Sequence, residues 1–373
     1  MRETGTYQLL GDLNYFTPNA LPPIKPALEL NTEIMNLYGE ASFSLGQLNE
    51  MSKRLPDPKR FIKAYVIKEA LLSSAIEGIH TTLLDIFRKS ANEHKSNKET
   101  QLVLNYTKSL DVALNMIQDQ GLPIVSRVIL AAHETLMTIG NNSHATPGEY
   151  RQQSVHVGNL VPPPAPKIPE LIADLERYIN EDIGLPPLIK AGLVHVQFET
   201  IHPFLDGNGR IGRLLIILML IDSGLLNVPI LYLSYYFKKH HLEYYQRLDR
   251  VRTHGDFEGW IAYYLRAVRD TGLDAYKRAK EIENLENELK TLIQNDSRFS
   301  KMRETSMLIL NVLFQKPITG IKEISQDINK SYNTAHNIMI HFLDLKLISE
   351  NKDQKRNKLY SFNAYLKLLE KEY

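Results

Sequence analysis

One stretch constrains this chain more than any other: HPFLDGNGRIGR, His202 to Arg213, followed without a break by LLIILMLI, Leu214 to Ile221. The first part is polar and interrupted by glycine. The second is too apolar to face water. Together they predict a loop set on the N-terminus of a buried helix. The rest of the fold must wrap that helix while leaving the loop open at its end.

The remaining sequence supplies mostly helices. From Leu28 onward, Leu30, Ile34, Leu37, Ala41, Leu45 and Leu48 recur at three- and four-residue spacing, which marks one helical face. Pro56 and Pro58 interrupt it, and a second helix runs over 59–76, with Gly78 where a C-terminal cap is expected. More helices follow over 81–140, broken at Gly121-Leu122-Pro123, and helical periodicity resumes at Pro169 and continues through Thr271. Residues 1–26 read as irregular. GNNSHATPGEY reads as loop, and SVHVGNLVPPP as a short hairpin around Gly158-Asn159. Ala279 to Leu292 reads as a charged connecting helix. Beyond it come a helix, a helix-turn-helix pair (ITGIKEISQDI and SYNTAHNIMIHFLDL) and two short strands with ENKDQKRNK at their tip, the order of a winged helix. The fold class is therefore all-α with one small hairpin and a C-terminal winged helix. The divisions fall at 1–115 (N-terminal helices), 116–276 (central helical core), 277–297 (connecting helix) and 298–373 (winged helix-turn-helix).

Bulk chemistry narrows the options. Lys and Arg number 44 against 43 Asp and Glu, so net charge gives no argument for nucleic acid or a membrane surface. The chain has no cysteine, which excludes disulfides and thiolate chemistry. Its longest apolar run falls far short of the ~20 residues that span a bilayer. The first residues lack a charged-then-apolar signal pattern. A soluble cytoplasmic protein with no membrane partner is expected.

The loop holds what phosphate chemistry requires. His202, at a helix end because Pro203 disfavours helical geometry before it, has the ordinary pKa of a general base. Asp206 offers the hard oxygen that Mg²⁺ prefers. Gly207 and Gly209 permit positive φ and free the backbone N–H groups to converge on an anion. The helix opening near Asn208 adds its positive end, and Asn208 can donate an amide hydrogen. Arg210 and Arg213, three apart, share a face, and planar guanidiniums bind phosphate bidentately. Each feature alone has an ordinary structural explanation. Two arginines at a helix N-terminus become sensible when an anion lies between them.

The string resembles the signature of the Fic family, HPFxDGNGRxxR, with every defined position present. The resemblance implies a compact helical domain that transfers AMP from ATP to a hydroxyl side chain of a target protein, or of the chain itself, and releases pyrophosphate. His202 would then be the catalytic base, and Asp206 the Mg²⁺ ligand. Gly207, Asn208 and Gly209 would cradle the α-phosphate, Arg210 would hold the β-phosphate and Arg213 the γ-phosphate. Phe204 is expected as an anchor in the core. Related kinases carry lysine where this chain has Gly209, so AMP transfer rather than phosphate transfer is implied. The hairpin at 154–164 corresponds to the family's flap, whose free edge would dock an extended target segment.

A second string, SSAIEG (Ser73 to Gly78), fits the family's inhibitory pattern [S/T]xxxE[G/N] through Ser73, Glu77 and Gly78. The resemblance implies that Glu77 pairs with Arg213 and displaces the γ-phosphate. The same glutamate is compatible with a hydrolase that removes AMP, or with both activities in one site. For the nucleoside, the aromatic stretch from Leu231 to Arg252 nominates Tyr236, Lys239 and Tyr245. In the winged helix the second helix offers Tyr332, Asn333, His336 and Asn337 but almost no cations, while Lys352, Lys355, Arg356 and Lys358 lie in the wing. This is a weak face for DNA, and a homodimer or partner-docking role is favoured over DNA binding. A nucleotide-sensing DNA-binding regulator is the alternative from a different class.

Overall fold

The computed structural model describes residues 2–54, 58–91, 97–138, 146–182, 184–350 and 358–371. In chain order it contains β1 (Gly5–Leu10), β2 (Leu13–Pro18), α1 (Thr32–Arg54), α2 (Pro58–Ile76), α3 (Leu83–Ala91), α4 (Lys98–Leu114) and α5 (Ser126–Met137). Next come α6 (Ile168–Asn180), α7 (Pro187–Ile201), α8 (Asn208–Asp222), α9 (Ser234–Lys239), α10 (His241–His254) and α11 (Phe257–Asn295). The last part holds α12 (Arg303–Gln315), β3 (Ile318–Gly320), α13 (Ile321–Asp327), α14 (Tyr332–Asp344), β4 (Ser349–Glu350), β5 (Leu359–Ser361) and α15 (Asn363–Glu370).

The centre is the helix expected from the sequence. Every residue of α8 from Asn208 to Ile221 is buried, and α7 is buried from Leu188 onward apart from Lys190. The two pack as a pair, with the His202-to-Gly207 loop joining them. Helices α2, α4 and α5 close one side of α8, and α10 and α11 pack on α7. Trp260 of α11 is fully buried and donates its indole N–H to the Gly192 carbonyl at 2.7 Å. A Cβ at Gly192 would collide with the Tyr264 ring, so the bare backbone of this glycine lets α11 pack tightly on α7. Among the described residues no helix is long and apolar enough to cross a membrane.

Three expectations need correction. Residues 1–26 are not irregular: β1 and β2 form an antiparallel hairpin with Leu10 opposite Leu13. Its turn is Gly11-Asp12, with Gly11 at φ 61°, a residue pair suited to a two-residue hairpin turn. Conversely, the expected hairpin around Gly158-Asn159 is a tight turn closed by a single bridge between Val157 and Leu160. Too few residues alternate there, and the prolines that follow lack N–H donors. The connecting helix does not begin near Ala279, because α11 runs unbroken from Phe257 to Asn295. The division expected at 276/277 therefore falls inside one helix.

The C-terminal unit has the order helix, strand, helix, helix, strand, strand, with the antiparallel sheet β3-β5-β4. The expected wing tip at 351–357, the Pro56 break and most of the GNNSHATPGEY loop lie outside the described residues. The unit is built against the core. α12 packs on α2, β3 on α3, and α15 on α11. Buried Arg278 of α11 donates to the Leu368 and Lys371 carbonyls at the end of α15, where a cation offsets the helix's negative end.

Candidate active site

His202 ends α7 in the left-handed region, φ 50° and ψ 62°, where a non-glycine residue costs about 1–2 kcal/mol. The strain is held from outside the loop. Arg151, fully buried, donates through Nε to the His202 carbonyl at 2.8 Å, and its own N–H bonds the Pro203 carbonyl at 2.9 Å. The same guanidinium reaches Gln153 and Pro163 carbonyls at 2.9 and 2.6 Å, so one side chain ties the loop to the 154–164 segment. His202 Nδ1 lies 3.3 Å from the Glu199 carbonyl. A carbonyl only accepts, so Nδ1 carries the proton and Nε2 is left as the basic atom. Burial is the main cause that pushes the His202 pKa down to about 4. The imidazole is therefore neutral at pH 7, the form a base requires.

The loop is braced from within. Phe204 is completely buried and stacks on His133, ring centroids 3.7 Å apart and planes 7° apart. His133 Nδ1 accepts the Gly148 N–H at 3.1 Å, which leaves Nε2 to donate to the Asp206 carbonyl at 3.0 Å. Burial pushes the His133 pKa down to about 4 as well. Asn208 closes a ring with Phe204: its amide donates to the Phe204 carbonyl and accepts the Phe204 N–H, both at 2.8 Å. Its side-chain amide is thus committed to loop geometry, so any phosphate contact here falls to the backbone. Gly207 has φ 83° and crowds Met137, Leu136 and His133, so its lack of a side chain matters twice. Asp206 is nearly half exposed, and its Oδ1 takes the Gly207 N–H at 2.6 Å and Arg210 Nη2 at 3.3 Å.

The structure brings the two distant strings together. Gly78 takes φ 77° just past α2, and the Glu77 N–H bonds back to the Ser74 carbonyl. This left-handed cap turns the Glu77 side chain onto α8. Glu77 Oε1 accepts from Arg213 Nη2 at 2.7 Å, while Arg213 Nε donates to Ser73 Oγ at 2.9 Å and Nη2 to the Ser73 carbonyl at 3.0 Å. Arg213 therefore also caps the C-terminal end of α2. Gly209 is helical, with no positive φ. Its role differs from the expected one: a Cβ there would overlap Glu77 Oε1. The carboxylate sits directly on the first turn of α8, where the helix dipole favours an anion. Beside it, Arg210 is 2% exposed, and among the described residues its Nε and Nη1 have no hydrogen-bond partner.

Of the nucleoside candidates, Tyr245 is 46% exposed, and Glu77, Arg213 and Glu199 act on it electrostatically. Tyr236 packs on His240 and edge-on to Tyr263, with Asp270, Glu243, Arg266 and Arg269 as its charged neighbours. Lys239 lies over the Tyr235 ring. The edge of the flap segment is partly engaged already: Phe16 of β2 donates its N–H to the Val161 carbonyl at 2.9 Å, and the Tyr15 hydroxyl meets Ser154 Oγ at 2.5 Å.

Sequence reasoning missed His133, Arg151, Glu69 and Glu199. Arg151 had one signal, a lone cation directly before the flap. His133 looked like any histidine on an apolar helical face. Glu199, buried behind Arg213, has its carboxyl pushed up to about 7 by desolvation, and Arg213 works against that rise.

A model described as the Fic/DOC family N-terminal region matches residues 35–115, and one described as the Fic/DOC family matches residues 123–220. Proteins named "Protein adenylyltransferase Fic" from Drosophila erecta and Drosophila melanogaster are each 29% identical to this chain over 218 residues, which is 58% of this chain and 40% of the relative. The match thus spans well under half the length of those relatives. A Fic family protein from Desulfovibrio desulfuricans has a similar fold, with a TM-score of 0.58 and 23% identity over 90% of this chain and 97% of its own. Fic-1 from C. elegans superimposes with a TM-score of 0.51 at 20% identity, over 68% of this chain and 74% of its own. With the loop and cap assembled as above, the chain carries both regions that the Fic/DOC models describe, in order, over residues 35–115 and 123–220.

Proposed function

We propose that this chain is a protein adenylyltransferase that uses ATP and Mg²⁺ and is held in a resting state by its own Glu77. In the reaction, the hydroxyl oxygen of a target side chain bonds to the α-phosphorus of ATP. The bond from that phosphorus to the bridging oxygen breaks, and pyrophosphate leaves. His202 Nε2 takes the hydroxyl proton, while Nδ1 stays anchored on the Glu199 carbonyl. The backbone N–H groups of Asn208 and Gly209 at the α8 N-terminus suit the α-phosphate, and the Gly207 N–H joins them only if it leaves Asp206 Oδ1. The unpaired N–H groups of Arg210 suit the β-phosphate. Arg213 suits the γ-phosphate once Glu77 leaves.

The donor chemistry fits Mg²⁺. Asp206 has a half-exposed carboxylate, and among the described residues only its Oδ1 carries hydrogen bonds. One hard oxygen completed by phosphate oxygens and water is the way this ion is usually held. When bound, it would supply charge neutralisation on the phosphates.

One observation carries the reading. A carboxylate sits in the anion position at the α8 N-terminus, paired with Arg213, beside an arginine with unpaired N–H groups. A site built for one anion that holds another is competitive by construction. Mass spectrometry after incubation with Mg²⁺ and ATP tests it. An AMP adduct on the protein or a partner is expected in Glu77→Gly and is lost in the Glu77→Gly/His202→Ala double variant. Absence of an adduct in Glu77→Gly, with candidate targets supplied, would favour a nucleotide sensor.

A further inference from the structure

Glu69 and Ser73 stand four residues apart in α2, and Glu77 follows four residues later in the turn that caps the helix. Ser73 and Glu77 hold Arg213. Glu69 reaches in another direction. It is 3% exposed, and its Oε2 accepts the Ser234 N–H at 3.0 Å while Oε1 accepts the Ser234 hydroxyl. The Tyr106 hydroxyl of α4 lies 3.5 Å from Oε1. Ser234 opens α9, so its N–H is one of the donors that a helix start leaves unsatisfied. A carboxylate from α2 satisfies it, which fastens α2 to α9. Desolvation pushes the Glu69 carboxyl up to about 7, and the Ser234 hydrogen bonds and Arg213 pull against that rise.

We propose that Glu69 is a positioning residue: its hydrogen bonds to Ser234 fix α2 along its axis and so hold Glu77 in register with Arg213 and Gly209. The geometry makes register the sensitive quantity. Glu69 and Glu77 are ~12 Å apart along the helix at 1.5 Å per residue, within one rigid segment and its cap. An axial slip of ~1 Å at Glu69 would reach Glu77 undiminished. Directed along the N···O line, it would stretch the 2.7 Å ion pair to ~3.7 Å, beyond hydrogen-bonding range, and lift Oε1 off the bare backbone of Gly209.

The proposal rests on the adenylyltransferase reading and is tested within it. The initial rate of AMP incorporation at limiting ATP is compared in the parent, Glu69→Ala, Glu69→Gln, Ser234→Ala, Glu77→Gly and the Glu69→Ala/Glu77→Gly double variant, with thermal melting to confirm folding. Glu69→Ala is expected to raise the rate at least ~10-fold, the scale of one charge-assisted hydrogen bond. Glu69→Gln, which keeps an acceptor and a donor for Ser234, stays near the parent. On the Glu77→Gly background, Glu69→Ala adds nothing, because the carboxylate it positions is gone. Three results overturn the proposal: no rise in a folded Glu69→Ala, equal rises for alanine and glutamine, or the same factor on both backgrounds. Should Glu69→Ala fail to fold, Ser234→Ala carries the test, with a smaller rise that vanishes in Glu77→Gly. A Glu77→Gly variant that is itself inactive refutes the functional reading and removes this proposal with it.

Discussion

Replacing Glu77 with glycine removes a specific competitor. Glu77 Oε1 lies 2.7 Å from Arg213 Nη2, with the arginine side chain 1% exposed and the glutamate 33% exposed. A hydrogen bond between charged groups contributes about 1.5–3 kcal/mol, with partial exposure pulling toward the lower end. Each 1.4 kcal/mol is tenfold, so the productive mode of ATP binding should gain roughly 10- to 150-fold. Arg213 keeps its place in the variant, because Ser73 still accepts two of its N–H groups and Glu69 and Glu199 remain close in charge. The loss of stability should therefore not exceed about 1.5–3 kcal/mol, the worth of that one bond. The assay is the initial rate of AMP incorporation against ATP concentration, with a thermal melt in parallel. An unchanged kcat/KM for ATP in a folded variant with a working acceptor would show that Glu77 does not compete with the γ-phosphate for Arg213. A rate gain with a large loss of melting temperature would show instead that Glu77 is chiefly structural.

Other consequences follow from the same geometry. With His202 pushed down to about 4, the base is neutral from pH 7 to well below its ordinary pKa; kcat/KM of Glu77→Gly should stay flat between pH 7 and 5.5, and a fall centred near ~6.5 would contradict the buried imidazole. Arg151→Met strips three buried or part-buried carbonyls of a donor and should cost about 2–4 kcal/mol, read as a lower melting temperature together with weaker ATP binding. Asp206→Asn should bind ATP alone but lose the enhancement by Mg²⁺, seen by calorimetry with and without the ion. Helix α14 carries no lysine or arginine, and Lys358 is already paired with Glu350, so the full chain should give no salt-dependent mobility shift with duplex DNA.

Legibility differed by physical cause. The α7–loop–α8 unit could be read residue by residue because its signals are local: a proline after His202, a glycine with positive φ, an apolar run. The meeting of Ser73 and Glu77 with Arg213, across more than a hundred residues, was reachable only through the family resemblance, since nothing in SSAIEG by itself specifies a partner. Gly209 shows the limit of local reasoning. Its glycine is needed for the approach of a side chain from α2, not for backbone conformation. Arg151 and His133 escaped notice because their partners are mainly carbonyls and amides, which every sequence contains. Gly11-Asp12 announces the hairpin of β1 and β2, but the prolines and glycines around it mask the alternation of its strands. The short turn at Gly158 was overread for the opposite reason: a good turn without enough paired strand.

In the proposed function the α8 N-terminus is a nucleotide-phosphate site aligned for attack at the α-phosphorus and blocked by Glu77. The most direct measurement follows label from ATP carrying it either on the α- or on the γ-phosphate. Protein-bound label from the α-position is expected in Glu77→Gly, little in the parent, and none in Glu77→Gly/His202→Ala. Label transferred from the γ-position, or α-label equal in parent and variant, would contradict the proposed function.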